Sequence, residues 1–165
     1  GIIGESGKND WVTNLERLGI RKSEECYTLS VTMPAKLISI FIKYSFTNAV
    51  FINSIYGTYA PDFSLYEESS NLQNPLSYGS IKAAQIYSMK WLNQYYKNKV
   101  RINSISPGGV ESVNMDSNFK KLYKNKTLGK SFSSPNDVIQ ASEFLLSENA
   151  KSIYGQNLFV DHGFR

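Results

Sequence analysis

Residues 49–57 read AVFINSIYG. Ala49-Val50-Phe51-Ile52 is a short continuous apolar run. It is bounded by Thr47-Asn48 on one side and Asn53-Ser54 on the other. Such a run between polar stops is the pattern of a buried strand. Everything else in the fold is read outward from this strand.

Upstream, Glu24 to Phe46 carries Leu29, Met33, Leu37, Ile40, Phe41 and Tyr44 at helical spacing. Pro34 interrupts that pattern, so a kink or restart is predicted there. Residues 1–24 are polar and weakly patterned, apart from Trp11, Leu15 and Leu18, which suit a short helix capped by Asp10. Downstream, Tyr56 to Pro75 reads as a long loop, a kind that is usually functional inside a compact domain. Tyr78 to Asn98 reads as a helix, with Ile81, Gln85, Tyr87, Trp91, Leu92 and Tyr95 along it. Val100 to Ser106 is a second strand, stopped by Pro107-Gly108-Gly109. Val113 to Leu128 is basic and loosely helical. Ser134 as N-cap and Pro135 at the first helical position open another helix, with Val138, Ala141, Phe144 and Leu145 as its apolar face. Gly155 ends a turn, and Asn157 to Val160 is the last strand.

Helices alternating with strands imply right-handed crossovers and a parallel sheet with helices on its faces. No repeat or linker divides the chain, so residues 1–165 are read as one α/β domain. Composition agrees. The 165 residues hold 41% apolar and 19% charged side chains, which is globular and not disordered. One cysteine, Cys26, excludes an internal disulfide framework and any multi-cysteine metal site. One histidine, His162, excludes His-pair metal motifs and makes any Ser-His-Asp arrangement depend on it alone. No apolar run is long enough for a transmembrane helix. No basic-then-apolar leader pattern is present, so a cytoplasmic location is expected. A net charge of +4 is modest, and no nucleic-acid module is recognisable.

Chemistry gathers at the strand ends. Tyr78 and Lys82 lie four apart, on one face of a helix. A lysine ammonium beside a phenol favours the phenolate, which suits the pair to proton transfer near neutral pH. Ser54 leaves the first strand and Pro107 to Val110 leave the second. Ligands of parallel sheets bind outside those carboxyl ends. Lys120, Lys121, Lys124, Lys126 and Lys130 follow with no acid between them. They read either as a solvated helix face or as an attractor of an anionic substrate. Cys26 reads as a small buried hydrophobe, His162 as a turn residue, and Trp91 and Tyr95 as packing.

Five segments then resemble one family in its own order: VFINSIYG (50–57), YGSIK (78–82), VRINSISPGGV (100–110), SSPNDVIQASEFLLSENAKSIYGQ (133–156) and LFVDHG (158–163). Residues 29–165 resemble the C-terminal two-thirds of a short-chain dehydrogenase/reductase. The resemblance implies a Rossmann-like doubly wound parallel sheet, incomplete at its N-terminal side. Its first-strand edge would then need another segment or chain to cover it. The resemblance also implies Ser54 holding the substrate oxygen, Tyr78 as general acid/base, and Lys82 tuning Tyr78 and binding the nicotinamide ribose. Pro107, Gly108, Val110 and Ser112 would line the pocket of NAD or NADP. Lys120, Lys121 and Lys124 would fall in a substrate lid, and the Tyr78–Asn98 helix in a homo-oligomer interface.

Several departures accompany it. No G-x-G-x-x-G turn, acidic ribose selector or Asn-Asn-Ala-Gly segment occurs. Ser30 stands where the family has a catalytic Asn, and His162 where it has Gly. Tyr78 lies 24 positions after Ser54, and a spacer this long resembles oxidoreductases of bacterial surface-sugar and flagellin-glycan pathways. Three functions stay open: an oxidoreductase acting on a small carbonyl or alcohol, such as a sugar or sugar acid; a non-catalytic binding or dimerisation module; and a relative of nucleotide-sugar epimerases and dehydratases.

Overall fold

The computed structural model describes residues 20–66, 74–112 and 115–165. The short helix expected at Trp11 to Leu18 and the centre of the long loop lie outside the described residues. Three strands form one parallel sheet in the order β1 (Asn48–Ile52), β2 (Arg101–Pro107), β3 (Asn157–Val160). The register pairs Phe51 with Ser104 and Ile105 with Leu158.

Successive side chains of a strand face opposite ways, so each strand serves two cores. On one face, Ala49, Phe51 and Ile102 pack on Ile38, Met89 and Leu92. These come from helices α2 (Met33–Phe41) and α3 (Leu76–Tyr96). On the other face, Val50, Ile105 and Val160 pack on Val138, Ala141 and Leu145 of α5 (Pro135–Leu146). Met89, Ile102 and Ile105 are fully buried, and each contributes about 1.5–3 kcal/mol by leaving water. The α/β class and parallel sheet expected from the alternation are therefore present. No described helix is long and apolar enough to cross a membrane.

The capping expectation holds for α5. Ser134 Oγ accepts the Asp137 N–H at 3.2 Å, and Asp137 returns the bond to the Ser134 N–H at 2.7 Å. Those bonds, led by the Ser134 N–H, hold the Asp137 carboxyl below the ordinary carboxylate range.

The restart expected at Pro34 is present. There α1 (Ile20–Tyr27) passes through a π-turn at Thr28–Thr32 into α2, and the Met33 N–H reaches back five residues to the Thr28 carbonyl. The proline's missing N–H and ring are absorbed by this wider turn just before it. The apolar stripe Leu29, Met33, Leu37, Ile40, Phe41 and Tyr44 along these helices is largely solvent-facing. One expectation needs correction, the reading of Trp91 and Tyr95 as packing: Tyr87, Trp91 and Tyr95 do not pack α3 on the sheet. They are 69%, 51% and 65% exposed, and Trp91 stacks on Tyr95 with ring centroids 4.9 Å apart. The buried face of α3 is Ile81, Gln85, Met89 and Leu92.

Candidate active site

Ser54 ends β1 in an extended conformation and caps a single 3-10 turn, Ile55–Gly57. Its Oγ accepts the Tyr56 N–H at 3.2 Å, which leaves its own O–H free to donate. That turn lies directly on the first turns of α3. A methyl group at Gly57 would meet the Lys82 main-chain carbon at 2.9 Å, and one at Gly79 would meet the Tyr56 carbonyl oxygen at 2.9 Å. Glycine at both places lets strand end and helix touch backbone to backbone.

Through that contact Ser54, Tyr78 and Lys82 share one edge of the sheet. Lys82 Nζ lies 5.8 Å from the Tyr78 ring centroid and donates to the Ile52 carbonyl at 3.1 Å. Two ammonium N–H groups remain for other partners. Burial of Lys82 pulls its pKa below the usual lysine value. Pro107 to Val110 leaves β2 at the same edge. The Gly108 N–H donates to the Val160 carbonyl at 2.9 Å, Gly109 N–H to the Tyr123 hydroxyl, and Val110 pairs with Ser133. Ser112 lies exposed beyond this turn.

The wall of the cleft is aromatic. Ile55, Leu65, Tyr66, Tyr123, Phe132 and Phe164 form one buried cluster. Tyr56 and Tyr66 share a hydroxyl contact at 3.0 Å, and Asn74 Nδ2 donates to Tyr66 at 2.7 Å. Burial raises the pKa of Tyr56, Tyr66 and Tyr123, and the neighbouring Tyr66 adds to the rise at Tyr56. These phenols stay protonated near neutral pH.

The basic segment folds as α4 (Ser117–Asn125), capped by Asp116 on the Phe119 N–H at 2.8 Å. Its charges are less free than a run of lysines suggests. Lys120 pairs with Glu111 at 3.0 Å, Lys126 pairs with Asp62 at 2.7 Å, and Lys124 Nζ sits 6.0 Å from the Phe132 ring centroid. Lys121 is exposed. His162 occupies a left-handed turn position at φ 52°. Cys26 is buried and free, with its thiol pKa raised by that burial.

Sequence reasoning missed Asn53 and Gln85, which are buried beside Ser54 and Lys82. A signal existed for Gln85. It lies seven residues after Tyr78 on the Tyr78/Lys82 face, polar where that helix face otherwise turns apolar.

Comparison with known proteins follows the same residues. A family model described as enoyl-(acyl carrier protein) reductase matches residues 63–165. Post-translational flagellin modification protein A of Campylobacter coli is 31% identical over 130 residues, which is 78% of this chain and 50% of that protein. The 7alpha-hydroxysteroid dehydrogenase of Bacteroides fragilis is 28% identical over 160 residues, 92% of this chain and 58% of that protein. The crystal structure of a short chain dehydrogenase from Leptospira borgpetersenii with bound NAD+ superposes with a TM-score of 0.82 at 26% identity, over 93% of this chain and 60% of that one. The chain spans about half the length of the curated relatives it matches.

Proposed function

The chain belongs to the short-chain dehydrogenase/reductase family, and on that premise we propose that it supplies the catalytic residues of an NAD(P)-dependent oxidoreductase acting on a carbonyl or alcohol. The observation that carries this reading is the meeting of Ser54, Tyr78 and Lys82 at one sheet edge, with Lys82 Nζ anchored on the Ile52 carbonyl at 3.1 Å. The two remaining ammonium N–H groups suit the hydroxyls of a nicotinamide ribose, and Pro107, Gly108, Val110 and Ser112 are proposed to line the ring. Bound there, the nicotinamide supplies or accepts a hydride.

The chain's own residues handle the proton. In reduction, the Tyr78 O–H gives its proton to the substrate oxygen as negative charge builds there. In oxidation, the Tyr78 phenolate takes the proton of the alcohol. Ser54 donates to the same oxygen and fixes its position. Lys82 stabilises the phenolate by its charge. A sugar or sugar acid is the proposed substrate class. The long spacer between Ser54 and Tyr78 supports it, together with a relative named for flagellin modification. The helix pair α2 and α3 is proposed as the homo-oligomer contact.

The test is NAD(P)-linked turnover of the purified protein over a panel of sugars and sugar acids. Tyr78→Phe keeps the fold and should lower turnover by at least about 100-fold, the scale of a positioned proton donor. Full activity in Tyr78→Phe would overturn the assignment. One observation favours a second reading, a binding or dimerisation module: no G-x-G-x-x-G turn occurs in the 165 residues. Calorimetry with NAD and NADP decides, because micromolar binding of either excludes that second reading. A nucleotide sugar converted without net oxidation would instead favour the epimerase or dehydratase alternative.

A further inference from the structure

Pro34 has no N–H to offer the Ser30 carbonyl four residues before it. That carbonyl lies in the π-turn Thr28–Thr32. Its donor comes from another helix: Gln85 Nε2 reaches it at 2.6 Å, across 55 residues of sequence. Gln85 is 8% exposed and stands three residues after Lys82, on the same face of α3.

The other end of the amide is the informative one. Gln85 Oε1 is buried and has no hydrogen-bond partner, and so is Asn53 Nδ2. Buried amide atoms are nearly always paired. One of these two is an acceptor and the other a donor. Both residues border the same stretch of α3, since a methyl at Gly57 would meet the Lys82 main-chain carbon at 2.9 Å and Asn53 Oδ1 at 3.0 Å. Asn53 is 4% exposed, and its Oδ1 already accepts the Ser54 N–H at 3.0 Å. A single water that donates to Gln85 Oε1 and accepts from Asn53 Nδ2 satisfies both.

We propose that Gln85 is a positioning residue of this site, tied by its amide nitrogen to the Ser30 turn and by its amide oxygen, through one buried water, to Asn53 and so to Ser54. The tie fixes the rotation of α3, which carries Tyr78 and Lys82, relative to the strand end that carries Ser54. Its bearing on a reaction rests on the oxidoreductase reading; the tie itself does not.

The experiment is a mutational cycle on the whole chain. Gln85→Met keeps an unbranched side chain of similar length and removes both amide ends. Pro34→Ala returns a main-chain N–H within the turn. Gln85→Met should lower Tm by about 4 °C, the size expected for one lost buried hydrogen bond. It should also move the NMR titration of isotopically methylated Lys82 upward by roughly half a unit, as a looser α3 admits water. Adding Pro34→Ala should recover most of the Tm and leave Lys82 displaced, because the arm to Asn53 is still missing. A purely structural glutamine would lower Tm and leave the Lys82 titration in place, and that result overturns the proposal. So does strict additivity of the two substitutions. Should Gln85→Met fail to fold, a high-resolution crystal structure of the unsubstituted chain decides instead. One water bonded to both Gln85 Oε1 and Asn53 Nδ2 is expected, and a dry gap overturns the proposal. None of these readouts uses turnover, so a chain that transfers no hydride counts against the oxidoreductase reading alone.

Discussion

Gly57 and Gly79 carry no side chain, and that is what lets Ser54 approach Tyr78 and Lys82. At each, an added methyl would sit 2.9 Å from main-chain atoms of the opposing segment. Backbone cannot swing aside as a flexible side chain can. Gly57→Ala should therefore cost about 1–3 kcal/mol, the range of overpacking, as read from the urea midpoint. It should also reduce any turnover, because the strand end moves off the helix. Unchanged stability would mean that the turn relaxes freely. Lys82 gives a second prediction at this scale. Burial lowers its pKa below the ordinary 10.5, so the folded state disfavours the ammonium. The resulting cost is full below the folded value and vanishes as pH rises to the unfolded one. Relative to Lys82→Met, the unsubstituted chain should gain stability as pH climbs towards 10.5. Paired urea titrations at neutral and alkaline pH check the sign.

Elements show how far local signals reach. The start of α5 was legible because Ser134, Pro135 and Asp137 act within one turn, and caps are local chemistry. β1 and β3 were legible as short apolar runs, and β2 by its stop at Pro107-Gly108-Gly109, although it buries Arg101, Asn103, Ser104 and Ser106. The π-turn was not, since the donor that completes it, Gln85, lies on another helix. Tyr78 and Lys82 stood out by their spacing on one helix and Ser54 by its place at a strand end, whereas Asn53 and the pairing of the lysines depend on elements far apart in sequence. The basic helix α4 illustrates this. It is fastened to the segment between β1 and α3 by Lys126 on Asp62 at 2.7 Å and by Phe119 against Tyr66 at 5.4 Å. The hydrogen bond from Lys126, with help from Ser64, lowers the Asp62 pKa from 3.8 to about 2. A lowered acid keeps its ion pair above the unfolded value and loses it as pH falls through the folded one. The fastening should thus hold at neutral pH and fade between pH 3.8 and about 2. Exposed pairs add little to global stability. The expected effect of Asp62→Asn is therefore local: faster amide exchange in residues 117–125 with little change in Tm. High salt should partly reproduce it.

At the scale of the whole molecule, two surfaces of the described residues stand out. Among the described residues β1 pairs only with β2, so its outer edge presents unpaired main-chain groups. The chain spans about half the length of its curated relatives. The second surface is helical. Leu29, Met33, Leu37 and Phe41 recur every four residues along the helices before β1, and Tyr87, Trp91 and Tyr95 recur every four along α3. All seven are exposed. Periodicity identifies residues that share a face but does not say what covers it, which is why Trp91 and Tyr95 read as packing in the sequence. Apolar stripes of this extent on adjacent helices are the surface proposed for association. A second copy of the chain is the proposed partner, since a two-fold axis would set each stripe against its own equivalent. Analytical ultracentrifugation at micromolar concentration should then show a dimer or larger species. Leu37→Glu with Trp91→Glu should yield a monomer, because neither side chain supports the fold from within and each places a charge at the centre of the contact. A monomeric unsubstituted chain, or a double variant that still associates, would overturn this assignment.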